Sequence, residues 1–421
     1  MYMKIILASV GTRGDMEPFI ALGDILHKKG HQVICAFPEQ FRHLVEGSSM
    51  EFASLGEKFI ELLESADGKA AMGGGGSGME KFMATLRLAK NQGEANKQLV
   101  HKQYVLIERE KQDRIVYNGK ATVPVLWEIN NKGKSTMVSP LPYMHYVRDH
   151  AHVAFNRNFG PFINKLTYNL ADFGLVETIK MAATWENMAP KISRKQIKEV
   201  LLSGKAIYTI SPSLFSRPMY WPENLQVLGY HQHLQPTDWQ PDDALTDFLA
   251  RQKGKRILLV TFGSMTNPTP ADKTNIIVDI LQRNHIPAII NTASGGLIKP
   301  NEYNSELLHF VSRIPYDWIL PQVYGVIHHG GSGTTHLALK HGCAMMIIPH
   351  IIDQFVWDTI IGDLGVGPRG VNISKIAVNN LEPKLLDLVK NDAFKLKAEQ
   401  VANQMAQEDF RDAVYQTIIA E

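Results

Sequence analysis

Glycines, hydroxyls and histidines are concentrated in the segment from 328 to 335, which is His-His-Gly-Gly-Ser-Gly-Thr-Thr. An apolar run from Val323 to Ile327 precedes this segment and a helical pattern follows it, which predicts the order strand, glycine turn, helix. Glycines let the backbone approach a ligand closely, and a helix N-terminus offers unpaired N–H groups and a positive dipole to an anion. We therefore expect a diphosphate to be bound by His329, Gly331, Ser332, Gly333 and Thr334.

Two other interpretations of the same turn have to be weighed. It lacks the Gly-Lys-Ser/Thr ending of a P-loop, which argues against a nucleoside triphosphatase. Taken alone, the segment is also compatible with a glycine-rich turn in which the histidines only pack or cap.

A second candidate is the carboxylate of Asp15, which follows the turn Gly11-Thr12-Arg13-Gly14. The apolar run from Met3 to Val10 predicts a strand before this turn, and Pro18 to Lys29 has helical periodicity. Asp15 would then lie at the carboxyl end of the first strand, where open α/β sheets bind ligands. It could act as a general base or only cap the helix, and the residues alone leave both roles open.

Several motifs together resemble a known family. Ile314-Pro315-Tyr316-Asp317-Trp318, the segment 328 to 335 and Asp353-Gln354 after Pro349 resemble the donor site of nucleotide-sugar-dependent family-one glycosyltransferases, especially the sterol and antibiotic glucosyltransferase branch. The N-terminal segment from Gly11 to Gly23 resembles the acceptor-side opening motif of the same branch. The resemblance implies an α/β GT-B fold, in which two Rossmann-like domains face each other across a cleft.

The resemblance also implies roles for individual residues. Asp15 corresponds to the base proposed in the antibiotic branch, although many members carry histidine in this loop, so His145 and His150 remain alternatives. Asp353 and Gln354 correspond to the pair that binds the hydroxyls of the donor sugar. The remaining donor-binding residues would contact phosphate or flank the uracil, and they are Arg13, Gly14, Ser264, Val311 and Ile314. Tyr316 stands where the branch usually has histidine.

The implied reaction is a metal-independent, inverting transfer of a hexose, with glucose expected, from a UDP-sugar. The chain contains no Asp-x-Asp motif that could bridge a divalent ion to a diphosphate. The UDP-sugar is a co-substrate, and we expect no cofactor and no metal site. Aromatic residues and histidines are dense from Pro142 to Phe173 and could line a pocket for an apolar acceptor such as a sterol, triterpenoid, flavonoid or phenol, with His145, His150 and Phe155 as candidates. Aromatic residues at helical spacing are equally typical of a core.

Length and patterning predict the domain organisation. A chain of 421 residues exceeds a single hydrophobic core, and a second strand-helix-strand pattern begins near Arg256. We predict an acceptor-binding domain at 1–230, a linker at 231–244, a nucleotide-sugar-binding domain at 245–390 and a C-terminal helix at 391–421 that packs back toward the first domain. The glycine-rich segment from Gly73 to Gly78 predicts a flexible loop.

Composition limits the partners and the location. The formal net charge of +2 gives no sign of nucleic-acid binding, and two cysteines provide no disulfide framework. No signal peptide or transmembrane run is recognisable, so we expect a cytoplasmic protein, for which peripheral membrane contact remains open.

Three alternatives to sugar transfer remain. A nicotinamide-dependent oxidoreductase would require a Gly-x-Gly-x-x-Gly motif, which the turn after the first strand does not contain. A nucleotide-sugar epimerase would need no acceptor. A non-catalytic homologue that binds a sugar nucleotide or a lipid is expected to lack Asp15, His329 or Gln354, and all three are present.

Overall fold

The computed structural model describes residues 2–58, 61, 78–155, 158–188, 191–233, 239–267, 269–293 and 295–420. The described chain forms two compact units. Of the described residues, those within 2–61, 78–233 and 409–420 form unit 1, and those within 239–408 form unit 2. Most of the glycine-rich segment after Met72 and part of the predicted linker, at 234–238, lie outside the described residues.

Unit 1 is built on a parallel sheet. Its described strands are β1 (Lys4–Ala8), β2 (Gln32–Phe37), β3 (Glu51–Ser54), β4 (Arg114–Tyr117), β5 (Ser135–Ser139), β6 (Lys205–Tyr208) and β7 (Leu225–Val227). Their order across the sheet is β3-β2-β1-β4-β5-β6-β7. Apart from their first residues, β1, β2 and β4 at the centre of the sheet are apolar and buried on both faces, as expected for a parallel sheet covered by helices.

The helices of unit 1 that the structure describes are α1 (Arg13–Lys28), α2 (Gly78–Glu110), α3 (Val123–Glu128), α4 (Pro161–Trp185), α5 (Arg194–Ser203) and, at the end of the chain, α13 (Arg411–Ile419). Helix α1 begins five residues before the Pro18 predicted to start it, with Thr12 as its N-cap. Asp15 therefore lies in the first turn of the helix and not ahead of it. At this start, the backbone N–H of the N-cap Thr12 donates to Oδ2 of Asp15.

Unit 2 has the same plan on a smaller scale. Its described strands are β8 (Leu258–Thr261), β9 (Ala288–Asn291), β10 (Leu308–Val311), β11 (Gly325–His328) and β12 (Ala344–Ile347), all parallel, in the order β10-β9-β8-β11-β12. Its helices are α6 (Asp243–Arg251), α7 (Pro270–Arg283), α8 (Tyr316–Ile319), α9 (Ser332–Lys340), α10 (Ile352–Leu364), α11 (Val378–Lys390) and α12 (Asp392–Met405). Apolar side chains from the strands and from α7 and α11 form its core.

The tail expected as one helix at 391–421 consists of two helices. Helix α12 belongs to unit 2, and α13 belongs to unit 1, where it packs against α1. Around α13, the hydroxyl of Tyr415 lies 3.1 Å from Nε2 of His31, and Lys29 pairs with Asp412 at 2.8 Å. The break between the helices falls at the polar residues 407–409.

Both sheets contain a topological switch point. In unit 1 the strand order reverses direction between β1 and β4, and in unit 2 it reverses between β8 and β11. Crossover helices diverge at such a point and leave a crevice at the carboxyl ends of the two strands, which is where open α/β sheets bind ligands. The loops that follow these four strands are therefore the expected ligand-binding positions in each unit.

Candidate functional site

The carboxyl edge of the sheet in unit 2 brings together polar side chains from neighbouring strands. The register places His328 beside Thr261, and Thr261 beside Asn291. Val311 and Ile347 continue the same row at the two sides of the sheet. At an interstrand spacing of about 4.8 Å, Val311 lies two strands, or roughly 10 Å, from Thr261 along the row.

His329 lies at this switch point, held between two glycines. A Cβ atom at Gly263, in the turn after β8, would lie 2.8 Å from Cε1 of His329. A Cβ atom at Gly331 would lie 2.5 Å from its Nε2. Any larger residue at either position would collide with the imidazole, so these glycines are required to admit the ring.

Burial favours the uncharged form of the His329 imidazole. It is only 8% exposed, and burial lowers its pKa well below the ordinary value, with His328 and His350 adding to the shift. Its Nδ1 has no hydrogen-bond partner among the described residues. A buried, unsatisfied ring nitrogen is costly unless a ligand or water supplies a partner, so His329 is suited to neutral hydrogen bonding with a ligand.

The helix after His329 presents its amino terminus at the same place. Gly331 is the N-cap of α9, whose first residues are Ser332, Gly333 and Thr334, two residues earlier than the predicted start at Thr334. The backbone N–H groups of this first turn have no partner within the helix, and the helix dipole favours an anion beside them. The predicted diphosphate residues are therefore brought together by the turn between β11 and α9.

Gln354 lies at the start of helix α10 and is buried. Its Oε1 accepts hydrogen bonds from the backbone N–H groups of His350 at 2.7 Å and Ile351 at 3.2 Å. A Cβ atom at Gly330 would lie 3.1 Å from Cβ of Gln354, so the glycine turn packs directly against this helix. Gln354 thus caps α10 with its oxygen, and only its amide nitrogen remains for a sugar. Asp353 is half-buried beside it.

Three other predicted donor residues lie at the carboxyl ends of β8 and β10, at the same edge of the sheet. Ser264 is exposed in the turn after β8, Val311 ends β10 half-buried, and Ile314 is buried shortly after it. Tyr316, at the position where the branch usually has histidine, bonds through its hydroxyl to Oγ1 of Thr261 at 2.8 Å. This contact links the start of α8 to the end of β8.

In unit 1 the structure places Asp15 at the switch point between β1 and β4. Its Oδ2 accepts from the backbone N–H of Thr12 at 2.8 Å and lies 3.3 Å from the hydroxyl of Thr12. Nζ of Lys120 lies 2.8 Å from Oδ1 and 2.9 Å from Oδ2. The capping role that the sequence left open is therefore realised, and the carboxylate also has a cationic partner that sequence reasoning missed.

The pairing of Lys120 with Asp15 could have been predicted only from the order of strands in the sheet. This lysine follows β4 in the segment Asn118-Gly119-Lys120, and β4 pairs with β1, so both loops start from adjacent strand ends. The two residues of the ion pair are 105 positions apart, and nothing in the local pattern of either segment indicates the other.

Arg13 was expected to contribute charge to the donor. In the structure its guanidinium pairs with Glu17 at 2.6 Å, one helical turn away, and both side chains are largely exposed. The geometry thus corresponds to a solvated surface pair, and the cation bonded to Asp15 is Lys120. Gly14 occupies the second position of α1.

The three candidate acceptor residues differ in their accessibility. His145 is bound through Nδ1 to the hydroxyl of Tyr208 at 2.6 Å, and burial lowers its pKa to about 4. His150 stacks on Tyr143 with ring centroids 3.9 Å apart and is 7% exposed. Both contact other aromatic rings, and His145 is half-buried whereas His150 is buried. Phe155 is 37% exposed and remains a candidate.

The described residues meet neither the requirements of a metal site nor those of a membrane-spanning helix. Within the described ranges no group of three or more His, Cys, Asp or Glu side chains is arranged to hold a metal ion. In the same part of the chain, no helix combines the length and apolar character needed to cross a membrane.

Comparisons with known proteins agree with this architecture. Residues 5–137 match the model of the glycosyltransferase family 28 N-terminal domain, and residues 305–420 match the erythromycin biosynthesis protein CIII-like C-terminal domain. A sterol 3-beta-glucosyltransferase of Arabidopsis thaliana is 27% identical over 97% of this chain and 64% of its own length. One from Yarrowia lipolytica is 26% identical over 97% of this chain and 28% of its own length. The chain thus spans less than two thirds of these relatives.

Solved structures share the fold over nearly the whole chain. The glycosyltransferase of kitacinnamycin has a TM-score of 0.69 at 15% identity, covering 99% of this chain and 98% of its own. The glycosyltransferase SsfS6 of Streptomyces sp. SF2575, solved with thymidine diphosphate, has a TM-score of 0.63 at 16% identity, with 98% of each chain covered. The predicted fold and the resemblance in the sequence are both confirmed: the chain has the GT-B fold, matches the glycosyltransferase family 28 N-terminal and the CIII-like C-terminal domain models over parts of its length, and is similar to sterol 3-beta-glucosyltransferases.

Proposed function

We propose that this protein transfers a hexose, with glucose expected, from a UDP-sugar to a hydroxyl of an apolar acceptor, without a metal and with inversion at the anomeric carbon. The observation that carries the proposal is the convergence, at the switch point of unit 2, of the neutral imidazole of His329 and the amino terminus of α9.

The leaving group requires stabilisation as the donor bond breaks. Negative charge then develops on the diphosphate, and preorganised donors are most effective where charge develops. The N–H groups of Ser332, Gly333 and Thr334 and the helix dipole supply such donors without a metal. The exposed hydroxyl of Ser264 adds a further donor at the end of β8.

The sugar and the base extend from the diphosphate in opposite directions along the sheet. Asp353 and the amide nitrogen of Gln354, on α10 beyond β12, would bind sugar hydroxyls. Val311 and Ile314, beyond β9, would flank the base. Assignment to uracil rests on the resemblance to the sterol branch, and the related SsfS6 structure holds thymidine diphosphate.

For transfer, Asp15 would act as general base. The proton of the acceptor hydroxyl passes to the Asp15 carboxylate while the acceptor oxygen forms a bond to the anomeric carbon. The bond from that carbon to the phosphate oxygen breaks, and its electrons leave with the diphosphate. A single displacement of this kind gives a β-linked product from an α-linked donor.

The acceptor class follows from the relatives. The similar curated proteins are sterol 3-beta-glucosyltransferases, so sterols are the first acceptors to test, followed by triterpenoids, flavonoids and simple phenols. Peripheral membrane contact and a cytoplasmic location remain expectations.

The test is incubation with UDP-glucose and a panel of these acceptors, with products followed by mass spectrometry. Hexose addition to one acceptor class supports the proposal. Interconversion of the sugar nucleotide without an acceptor would indicate an epimerase, and tight binding of UDP without any turnover would indicate a non-catalytic homologue.

A further inference from the structure

The Asp15 carboxylate accepts hydrogen bonds from two neighbouring residues, Lys120 and Thr12. The ammonium of Lys120 contacts both of its oxygens, at 2.8 and 2.9 Å, and the Thr12 N–H donates to Oδ2 at 2.8 Å. The side chain of Asp15 is 16% exposed and that of Lys120 is 50% exposed, so the pair lies at the boundary between protein and solvent. These contacts to both oxygens restrain the rotation of the Asp15 carboxylate.

The placement of Lys120 is itself fixed by a buried network. The amide of Asn118 donates to the hydroxyl of Ser9 at 3.0 Å and to the carbonyl of Val10 at 2.7 Å. Its Oδ1 accepts from the backbone N–H of Lys120 at 3.2 Å. Ser9 in turn donates to the backbone carbonyl of Asp15 at 2.8 Å. Asn118 and Ser9 therefore tie the loop that carries Lys120 to the loop that carries Asp15.

The backbone of Gly11 closes one side of the ion pair. A Cβ atom there would lie 2.2 Å from Oδ2 of Asp15 and 2.6 Å from Nζ of Lys120. The φ angle of Gly11 is +134°, a conformation that residues with a side chain rarely adopt. Because Gly11 has no side chain, the carboxylate of Asp15 and the ammonium of Lys120 can pack directly against its backbone.

We propose that Lys120 is a positioning residue for Asp15, an inference that rests on the proposed function. By contacting both carboxylate oxygens, Lys120 prevents rotation of the side chain and directs the remaining lone pair outward, toward the acceptor hydroxyl. In the transfer step the acceptor proton passes to Asp15, and Lys120 keeps its own protons throughout. Catalysis by a general base requires the base to lie within hydrogen-bond reach of the proton, and small misplacements are costly in rate.

The test compares Lys120→Met with Lys120→Arg. Methionine keeps the length and apolar stem but removes the donors, and arginine restores a cation that can bind both carboxylate oxygens. The matched control is Lys4→Met, since Lys4 pairs with Glu110 at 3.2 Å at the opposite, amino-terminal end of β1. For each variant, kcat, KM for UDP-glucose, the Kd of UDP and the midpoint of thermal unfolding are measured.

We expect Lys120→Met to lower kcat by about 10- to 100-fold, with KM for the donor and the Kd of UDP changed by less than about twofold, because donor binding lies in unit 2. Lys120→Arg should recover most of the lost kcat, and Lys4→Met should match the wild type. An unchanged or higher kcat in Lys120→Met, or no recovery by arginine, would overturn the role of Lys120 alone. Absence of transfer by the wild-type protein would overturn the proposed function and this inference together.

Discussion

Replacing Gly331 by alanine should weaken nucleotide binding by displacing His329. The φ and ψ angles of Gly331 are −67° and 139°, which alanine adopts without strain, so the effect is steric. The new Cβ would lie 2.5 Å from Nε2 and 3.1 Å from Cε1 of His329, whereas ordinary contact begins near 3.4 Å. The ring therefore has to move by roughly 1 Å, a forced repacking that typically costs about 1–3 kcal/mol.

The expected loss of affinity follows from the hydrogen bond that His329 would make to phosphate. Hydrogen bonds to charged groups contribute about 1.5–3 kcal/mol, which corresponds to roughly a 10- to 150-fold increase in the Kd of UDP. Isothermal titration calorimetry measures this directly. Gly174→Ala is the control, because a Cβ there meets nothing within 4 Å on the exposed side of α4, and it should leave the Kd of UDP unchanged.

A double-mutant cycle isolates the mechanism. His329→Ala should weaken UDP binding by a similar amount, and adding Gly331→Ala to that background should produce little further loss, because no ring remains to be displaced. Additive losses in the double variant would refute the argument, since Gly331 would then act independently of His329.

Three further outcomes are expected. Asp15→Asn keeps an oxygen to cap α1 but removes the base, so kcat should fall by about 10²- to 10⁴-fold while the Kd of UDP is unchanged; a kcat near that of the wild type would exclude Asp15 as base. Burial lowers the pKa of several histidines from 6.5, among them His328, to about 3, and His336 and His350, to about 4. Between about pH 6.5 and pH 4, these histidines are protonated in the unfolded chain but not in the folded one. The free energy of unfolding should therefore decrease as the pH falls through this range, by up to about 1.4 kcal/mol per pH unit for each histidine. Burial raises the pKa of Asp358 to about 6, so this one carboxyl group has the opposite effect on stability as the pH falls. Denaturant titrations measure the free energy of unfolding at each pH, and a value independent of pH would contradict the account. Transfer should persist after treatment with a chelator, and activity that is lost and then restored by Mg²⁺ or Mn²⁺ would contradict the metal-independent mechanism.

Features with a local cause were predictable from the sequence. The turn from β11 to α9 follows from an apolar run, consecutive glycines and a helical pattern. The structure differs by a strand at Gly325–His328 instead of Val323 to Ile327 and by a helix that begins two residues earlier. The start of α1 was placed too late because Pro18 was taken as the first helical residue. The structure instead accommodates Pro18 within the helix and begins it after Thr12.

Features that depend on tertiary contacts were not predictable. The partner of Asp15 lies 105 positions away and is brought close by the pairing of β1 with β4. The contacts of His145 with Tyr208 and of His150 with Tyr143 depend on the tertiary fold, and composition alone does not distinguish a core from a pocket. The pairing of Arg13 with Glu17, by contrast, is an i,i+4 contact that the sequence already permits.

The central claim is transfer of a sugar from a nucleotide donor to an acceptor hydroxyl. The most direct measurement is the release of UDP from UDP-glucose, followed by mass spectrometry with the sterol, flavonoid and phenol panel present or omitted. The account predicts release that depends on the acceptor, together with a product heavier by one hexose. Tight binding of UDP without release under any of these conditions would contradict it.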